Sequence, residues 1–244
     1  MAALRVRILS IAAAMALAIV GAGSTPVLAG GTVDLTDPVG DVVEDTGRVW
    51  TKVASGERHT CGVGTDRSLW CWGDNGDGQL GLGDRTDRLV PTRVGTDLDW
   101  AKISAGAEHT CGVRTDRSLW CWGYNGYGQL GLGDTTDRLV PTRVGTDLDW
   151  AKIGTGLLHT CGVRADRSLW CWGSNGYGQL GLGDTLARLV PTRVGTDLDW
   201  VKIRTGDRHT CGVRTDRSLW CWGINDRSQL GLGDLTDRLV PTRV

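Results

Sequence analysis

Three residues able to hold a metal or form a sulfur–sulfur bond recur every 50 positions in this 244-residue chain. His59, Cys61 and Cys71 return as His109, Cys111 and Cys121, as His159, Cys161 and Cys171, and as His209, Cys211 and Cys221. One imidazole and two thiolates supply three of the four ligands of a tetrahedral zinc site. That reading asks for four equivalent metals, and a disulfide in each unit accounts for the cysteines more simply. The repeat selects the pairing that every unit satisfies alone: Cys61–Cys71, Cys111–Cys121, Cys161–Cys171 and Cys211–Cys221. The alternative is four pairs of buried thiols. No metal is expected, and each histidine reads as a hydrogen-bonded structural residue.

Other stretches resemble chemistry in letters only. Gly76-Asp-Gly-Gln-Leu-Gly81 matches the dinucleotide fingerprint, which works only between a strand and a helix of a βαβ unit. Here it repeats in a chain without helical periodicity and breaks at Asp226-Arg227-Ser228. Asp74-Asn-Gly-Asp-Gly78 hints at a calcium loop, but Tyr124, Tyr127, Ser174 and Tyr177 replace its acids in later units. Serines are few, four of the ten sit at the repeated turn position Ser68, and Asp97 and Asp99 belong to an invariant linker. No Ser/His/Asp set is particular to one unit. Neither catalysis nor a cofactor is expected.

The residues that must position these groups follow one plan. His59, Cys61 and Val63 alternate with Thr60 and Gly62, and Leu69 and Cys71 alternate with Trp70 and Trp72. Such alternation, broken at Thr65-Asp66-Arg67, predicts a β-hairpin. Placing Cys61 opposite Cys71 implies a three-residue connection, sets Val63 across from Leu69, and lays Trp70 over Gly62. Cross-strand cysteines lie within the reach of a disulfide. A strand at Trp100–Ile103 precedes the hairpin, and a Gly-rich passage leads to a last strand at Leu139–Val144 whose proline suits an edge. Four short strands per 50 residues predict an all-β fold, a β-propeller whose blades run 50–99, 100–149, 150–199 and 200–244. A four-bladed ring, an open arc, and part of a ring completed by a second chain are all compatible with four units. A homo-oligomer therefore stays open.

Residues 1–29 read as a secretory signal peptide: Arg5 and Arg7, an apolar run from Ile8 to Ala22, and small residues before a cut after Ala29. An uncleaved anchor is the alternative. Export agrees with paired cysteines, which persist outside the cytosol. Removal of two arginines and no acid moves the formal charge from −1 to −3 (25 basic against 28 acidic residues). No basic stripe appears, so nucleic acid is an unfavoured partner, and no later segment resembles a membrane span. Residues 30–49 form an acidic leader, read as a decayed partial repeat supplying a strand or as a flexible segment.

The motif Trp-x-Lys-Ile-x-x-Gly-x-x-His-Thr-Cys, then Leu-Trp-Cys-Trp-Gly-x-Asn-x-x-Gly-Gln-Leu-Gly, then Arg-x-x-Pro-Thr-Arg-Val resembles the regulator of chromosome condensation repeat over residues 50–244. The resemblance implies a propeller, usually of seven blades, acting through protein surfaces. This chain departs from it in several places. It has four repeats, and Asp66-Arg67 replaces the usual Asp-Gly turn. Equal repeat lengths leave out the wedge of the nuclear exchange factor. Glu57, Ala107, Leu157 and Asp207 stand where the photoreceptor branch has Trp.

Comparing the units with one another shows where the fold leaves freedom. Fifteen of 50 positions vary; four lie in the first strand or hairpin turn, and eleven fall at 54–58 or 74–87. In an up-and-down blade these two connections emerge at one end. That end carries Arg58, Tyr124, Tyr127, Leu157, Leu158, Tyr177, Leu186, Arg208, Ile224, Arg227 and Leu235. Tyr and Arg are favoured interface anchors, so a protein partner of unknown identity is expected there. The competing explanation is neutral drift of unconstrained loops. The function expected is a secreted, non-enzymatic protein-binding propeller; one family precedent is a secreted bacterial inhibitor of β-lactamase. The alternatives are a guanine-nucleotide exchange factor-like regulator, and a structural module of a larger cell-surface repeat protein.

Overall fold

A computed structural model describes residues 47–244. The expected signal peptide and leader residues 30–46 lie outside the described residues, and residues 47–49 form no strand. The propeller unit spans Arg48–Val244. Its first blade contains β1 (Trp50–Ser55), β2 (His59–Gly64), β3 (Leu69–Gly73) and β4 (Arg88–Arg93). The second holds β5 (Trp100–Ala105), β6 (His109–Arg114), β7 (Leu119–Gly123) and β8 (Arg138–Arg143). The third holds β9 (Trp150–Thr155), β10 (His159–Arg164), β11 (Leu169–Gly173) and β12 (Arg188–Val194). The fourth holds β13 (Trp200–Thr205), β14 (His209–Arg214), β15 (Leu219–Gly223) and β16 (Arg238–Arg243). Each blade is a four-stranded antiparallel sheet in sequence order. The first strands of neighbouring blades touch one another, so they line the axis and the proline-bearing fourth strands lie outermost.

Hairpin register follows from the alternation. Cys61 faces Cys71, Val63 faces Leu69 and Gly62 faces Trp70, and the same register recurs in every blade. All eight cysteines are joined within their hairpins, with Cα atoms 4.1 Å apart. Gly64 N–H donates to Ser68 O at 2.9 Å, leaving Thr65, Asp66 and Arg67 as the three-residue connection. One side-chain placement differs from expectation. Trp70 is paired with Gly62, but the indole lying over it is Trp50's, within 2.8 Å of where a Cβ on Gly62 would sit. The extra residue at Thr51 shifts the β1 register and swings Trp50 back across the sheet.

Blades adhere through indoles. Cys61, Val63, Leu69, Cys71, Leu80 and Val94 of the first blade form one cluster with Trp100 and Trp122 of the second. The arrangement repeats at the next two junctions. Within the second blade, Trp100 and Trp122 meet edge to face with centroids 5.7 Å apart, a geometry worth about 0.5–1.5 kcal/mol beyond area burial. Gly81 permits the close approach: it holds φ 75°, and a Cβ there would stand 2.7 Å from Trp122 Nε1.

The described blades form an open arc. Inner strands and hairpins join first to second, second to third and third to fourth. Trp50 is 37 % exposed where Trp100, Trp150 and Trp200 are 1 % exposed, so no other described blade covers the first blade's leading face.

Candidate functional site

Eleven of the fifteen variable positions gather at one end of the arc because hydrogen bonds tie the two variable connections of each blade together. Asp74 N–H donates to Arg58 O at 2.9 Å, Tyr124 to Glu108 at 2.9 Å, Ser174 to Leu158 at 2.8 Å, and Ile224 to Arg208 at 3.0 Å. The fourth strand starts at Arg88, so positions 85–87 stay on this end. The hairpin turns and inter-blade linkers form the other end, where Trp100 N–H donates to Arg67 O at 3.2 Å.

The long β3–β4 loop is held from inside by residues whose role the sequence did not disclose. Asn75 is fully buried. Its Nδ2 donates to Asp84 O at 2.9 Å and Thr86 O at 3.1 Å, and its Oδ1 accepts from Leu80 N–H at 3.0 Å. Gln79 Oε1 accepts from Asp77 N–H at 2.9 Å. The Gln79 carbonyl accepts two bonds from the next blade, from Thr110 Oγ1 at 2.8 Å and Trp122 Nε1 at 2.9 Å. The advance signal of these roles was that Asn75 and Gln79 stay fixed on either side of the varying positions 76–78.

Groups weighed as chemical are already engaged. His59 Nε2 lies 2.8 Å from Thr110 Oγ1 of the next blade, and His109 and His159 make the same contact at 2.9 Å. Burial pushes His59 down to about 4 and His109 and His159 to about 3, so these rings are neutral. Ser68 Oγ donates to Asp66 Oδ1 at 2.6 Å and accepts from Trp70 Nε1 at 2.7 Å. Those Ser68 bonds hold the Asp66 carboxyl below its ordinary value. Asp97 and Asp99 pair with Arg114 at 2.6 and 3.4 Å, and that guanidinium stacks on Trp100 and Trp120. In the first blade Gly64 replaces the arginine, and Arg48 takes its place over Trp50 and Trp70.

Of the eleven expected contact residues, five are brought together. Tyr127, Leu157, Leu158, Tyr177 and Arg208, drawn from three blades, line a groove of about 230 Å³. Arg208 Nη1 donates to Tyr177 Oη at 3.2 Å, and its guanidinium lies 5.2 Å from that ring's centre. Leu157 also borders an axial bowl of about 380 Å³, into which Glu57, Ala107 and Asp207 bring the same variable position from the other blades.

The remaining six are spread more widely. Tyr124 folds over Gly126 of its own loop. Leu186 and Leu235, 67 % and 63 % exposed, stand ahead of the outermost strands. Ile224 is half-buried, Arg227 is exposed, and Arg58 is exposed beside Glu57.

Charge divides this end. Around the first two blades, burial first and Asp137 second raise the Asp77 carboxyl, while burial and then Asp77 raise Glu108. The groove is aromatic and aliphatic beside a braced cation, with Tyr127 from the second blade, Leu157, Leu158 and Tyr177 from the third and Arg208 from the fourth. Such a surface offers non-covalent recognition through aromatic faces, aliphatic side chains and a fixed guanidinium.

Comparison with known proteins places this geometry. The RCC1-like domain profile matches residues 16–244. The human WBSCR16 structure is 26 % identical with a TM-score of 0.74, over 84 % of this chain and 55 % of that one. Yeast Prp20, solved with Kap60, is 23 % identical with a TM-score of 0.74, over 81 % of this chain and 49 % of its own; it speaks for the fold. The ultraviolet-B receptor UVR8 of Arabidopsis thaliana is 60 % identical over 42 residues, 17 % of this chain and 10 % of the receptor. The chain thus spans about half the length of the solved structures and matches a tenth of the receptor. With its profile match, its repeats and its blades in agreement, the chain belongs to the RCC1-like domain family.

Proposed function

We propose that this chain is a non-catalytic recognition propeller that works outside the cytosol and grips a protein partner with its variable end. The observation that carries the reading is the groove in which Tyr127, Leu157, Leu158, Tyr177 and Arg208 meet. These residues occupy positions that differ between repeats, on a scaffold whose other positions hardly change. Loops displayed by a rigid frame are where binding function concentrates. The frame is stiffened by four disulfides, and these also support an oxidising compartment. The proposed partner joins a basic patch to an apolar one, matching the Asp77 and Glu108 carboxyls of this end and its aromatic and aliphatic groove.

The test is capture from culture medium by the wild-type chain and by Tyr124→Ser/Tyr127→Ser/Leu158→Ser. Recovery of the same partner falling at least tenfold, with an unchanged melting temperature, supports the reading; undiminished recovery overturns it.

A further inference from the structure

The end opposite the variable loops is not flat. A pocket opens at each of the three junctions between described blades, of about 530, 420 and 330 Å³ in chain order. These volumes reach the range of small-molecule sites, about 300–1,000 Å³. The first is walled by Leu82, Arg93 and Asp97 of one blade and by Trp100, Arg114 and Pro141 of the next. The same residue types wall the other two, so one site is built three times from different parts of the chain.

The chemistry of the wall narrows what fits. Arg93 and Arg114 are balanced by Asp97 and Asp99, which leaves no net formal charge. Arg114 is paired with both carboxylates and lies over the Trp100 and Trp120 rings, so it is not free to follow an anion. Two donors of the wall are nonetheless spare. Trp100 is 1 % exposed, and neither its Nε1 nor the Nε of Arg114 has an acceptor in the protein; Trp150 with Arg164 and Trp200 with Arg214 repeat the pair. Trp100 sets the Cε3–Cζ3 edge of its ring against Gly112, which turns the Nε1 edge away from that strand. A buried donor without an acceptor is costly, so these atoms call for an oxygen. Leu82 and Pro141 in the same wall call for an apolar group.

We propose that each junction binds a neutral N-acetylated amino sugar. Its acetamido carbonyl accepts from the Trp and Arg donors, its methyl packs on the Leu and Pro side chains, and its hydroxyls meet Arg93 and Asp97 or their equivalents. A charged ligand would lose its water against a wall that offers no opposite net charge. Threefold repetition favours a glycan of repeating units, because sites fixed on one frame hold a polymer more tightly than a single sugar. The protein-binding groove lies at the other end, and the two sites are independent.

Native mass spectrometry of the full chain tests this with two probes. One is N,N′,N″-triacetylchitotriose; the other is cellotriose, the same backbone with hydroxyls in place of acetamido groups. Three bound triacetylchitotriose molecules per chain are expected, and cellotriose binds about tenfold more weakly. Val140, Val190 and Val240 also line the pockets and are 50 %, 51 % and 51 % exposed, so substituting them leaves the core intact. Val140→Glu lowers the bound count from three to two, and Val140→Glu/Val190→Glu lowers it to one. Adding Val240→Glu abolishes both binding and retention on chitin beads, with an unchanged near-ultraviolet circular dichroism spectrum. Tyr127→Ser, at the other end, leaves the count at three. Absence of bound triacetylchitotriose overturns the proposal, as does equal binding of cellotriose or a count that the valine substitutions do not lower.

Discussion

At the scale of residues, the inner histidines are the groups most sensitive to solution conditions. An unfolded imidazole takes its proton near pH 6.5. Folded, His109 and His159 are held near 3 and His59 near 4 by burial. The unfolded chain therefore binds protons that the folded chain refuses. Stability is whole above pH 6.5, falls as pH drops below it, and levels off near the folded values. At pH 5 each fully buried histidine costs about 2 kcal/mol. Urea midpoints between pH 7.5 and 5 should fall steeply for the wild type and less steeply for His109→Gln; parallel profiles would contradict the assignment.

A second residue-scale test concerns the hairpin turns. Arg67, Arg117, Arg167 and Arg217 hold φ between 64° and 68°, a conformation that disfavours any residue with a Cβ. Arg167→Gly should stabilise by about 0.5–1 kcal/mol, read as a higher urea midpoint; a lower midpoint would mean that the side chain contributes more than its strain costs. The cysteine pairs were legible because four copies of one spacing leave a single solution common to all. Asn75 and Gln79 were not, since nothing local distinguishes a buried loop organiser from any other polar turn residue. Arg48 was hidden because it does another repeat's job from outside the repeat.

At the scale of elements, period-two alternation located the hairpins, and the cysteines fixed their register. The sequence also suggested four strands per unit, though the first strand runs to Ala105 where the spacing indicated Ile103. What it could not supply was the direction of Trp50, because a bulge of one residue redirects an indole without altering the pattern of residue types. The open arc makes a prediction about that indole and its equivalents. Trp150 is sealed between blades and Trp50 is not. Trp150→Ala should cost about 3–5 kcal/mol and Trp50→Ala less than half as much, compared by urea unfolding at low protein concentration. Equal losses would indicate that the first blade's leading face is covered in the single chain.

At the scale of the whole molecule, near-identity of the repeats turns the chain into its own comparison set. Positions that the fold dictates are fixed, and eleven of the fifteen it leaves free collect at one end. That much was legible, including the end on which the tyrosines lie. Their grouping was not. Only the curvature between blades decides that Tyr127 reaches Leu157 and Tyr177 while Leu186 and Leu235 stand apart.

The most direct test of recognition through the variable end is site-specific photo-crosslinking in culture medium. A photoreactive residue is placed at Tyr127 or Leu158, and for comparison at Leu98 or Leu148, which are 54 % and 52 % exposed at the opposite end. The account predicts a discrete partner adduct from Tyr127 and Leu158 and none from Leu98 and Leu148. The same adduct formed only from Leu98 or Leu148 would contradict it.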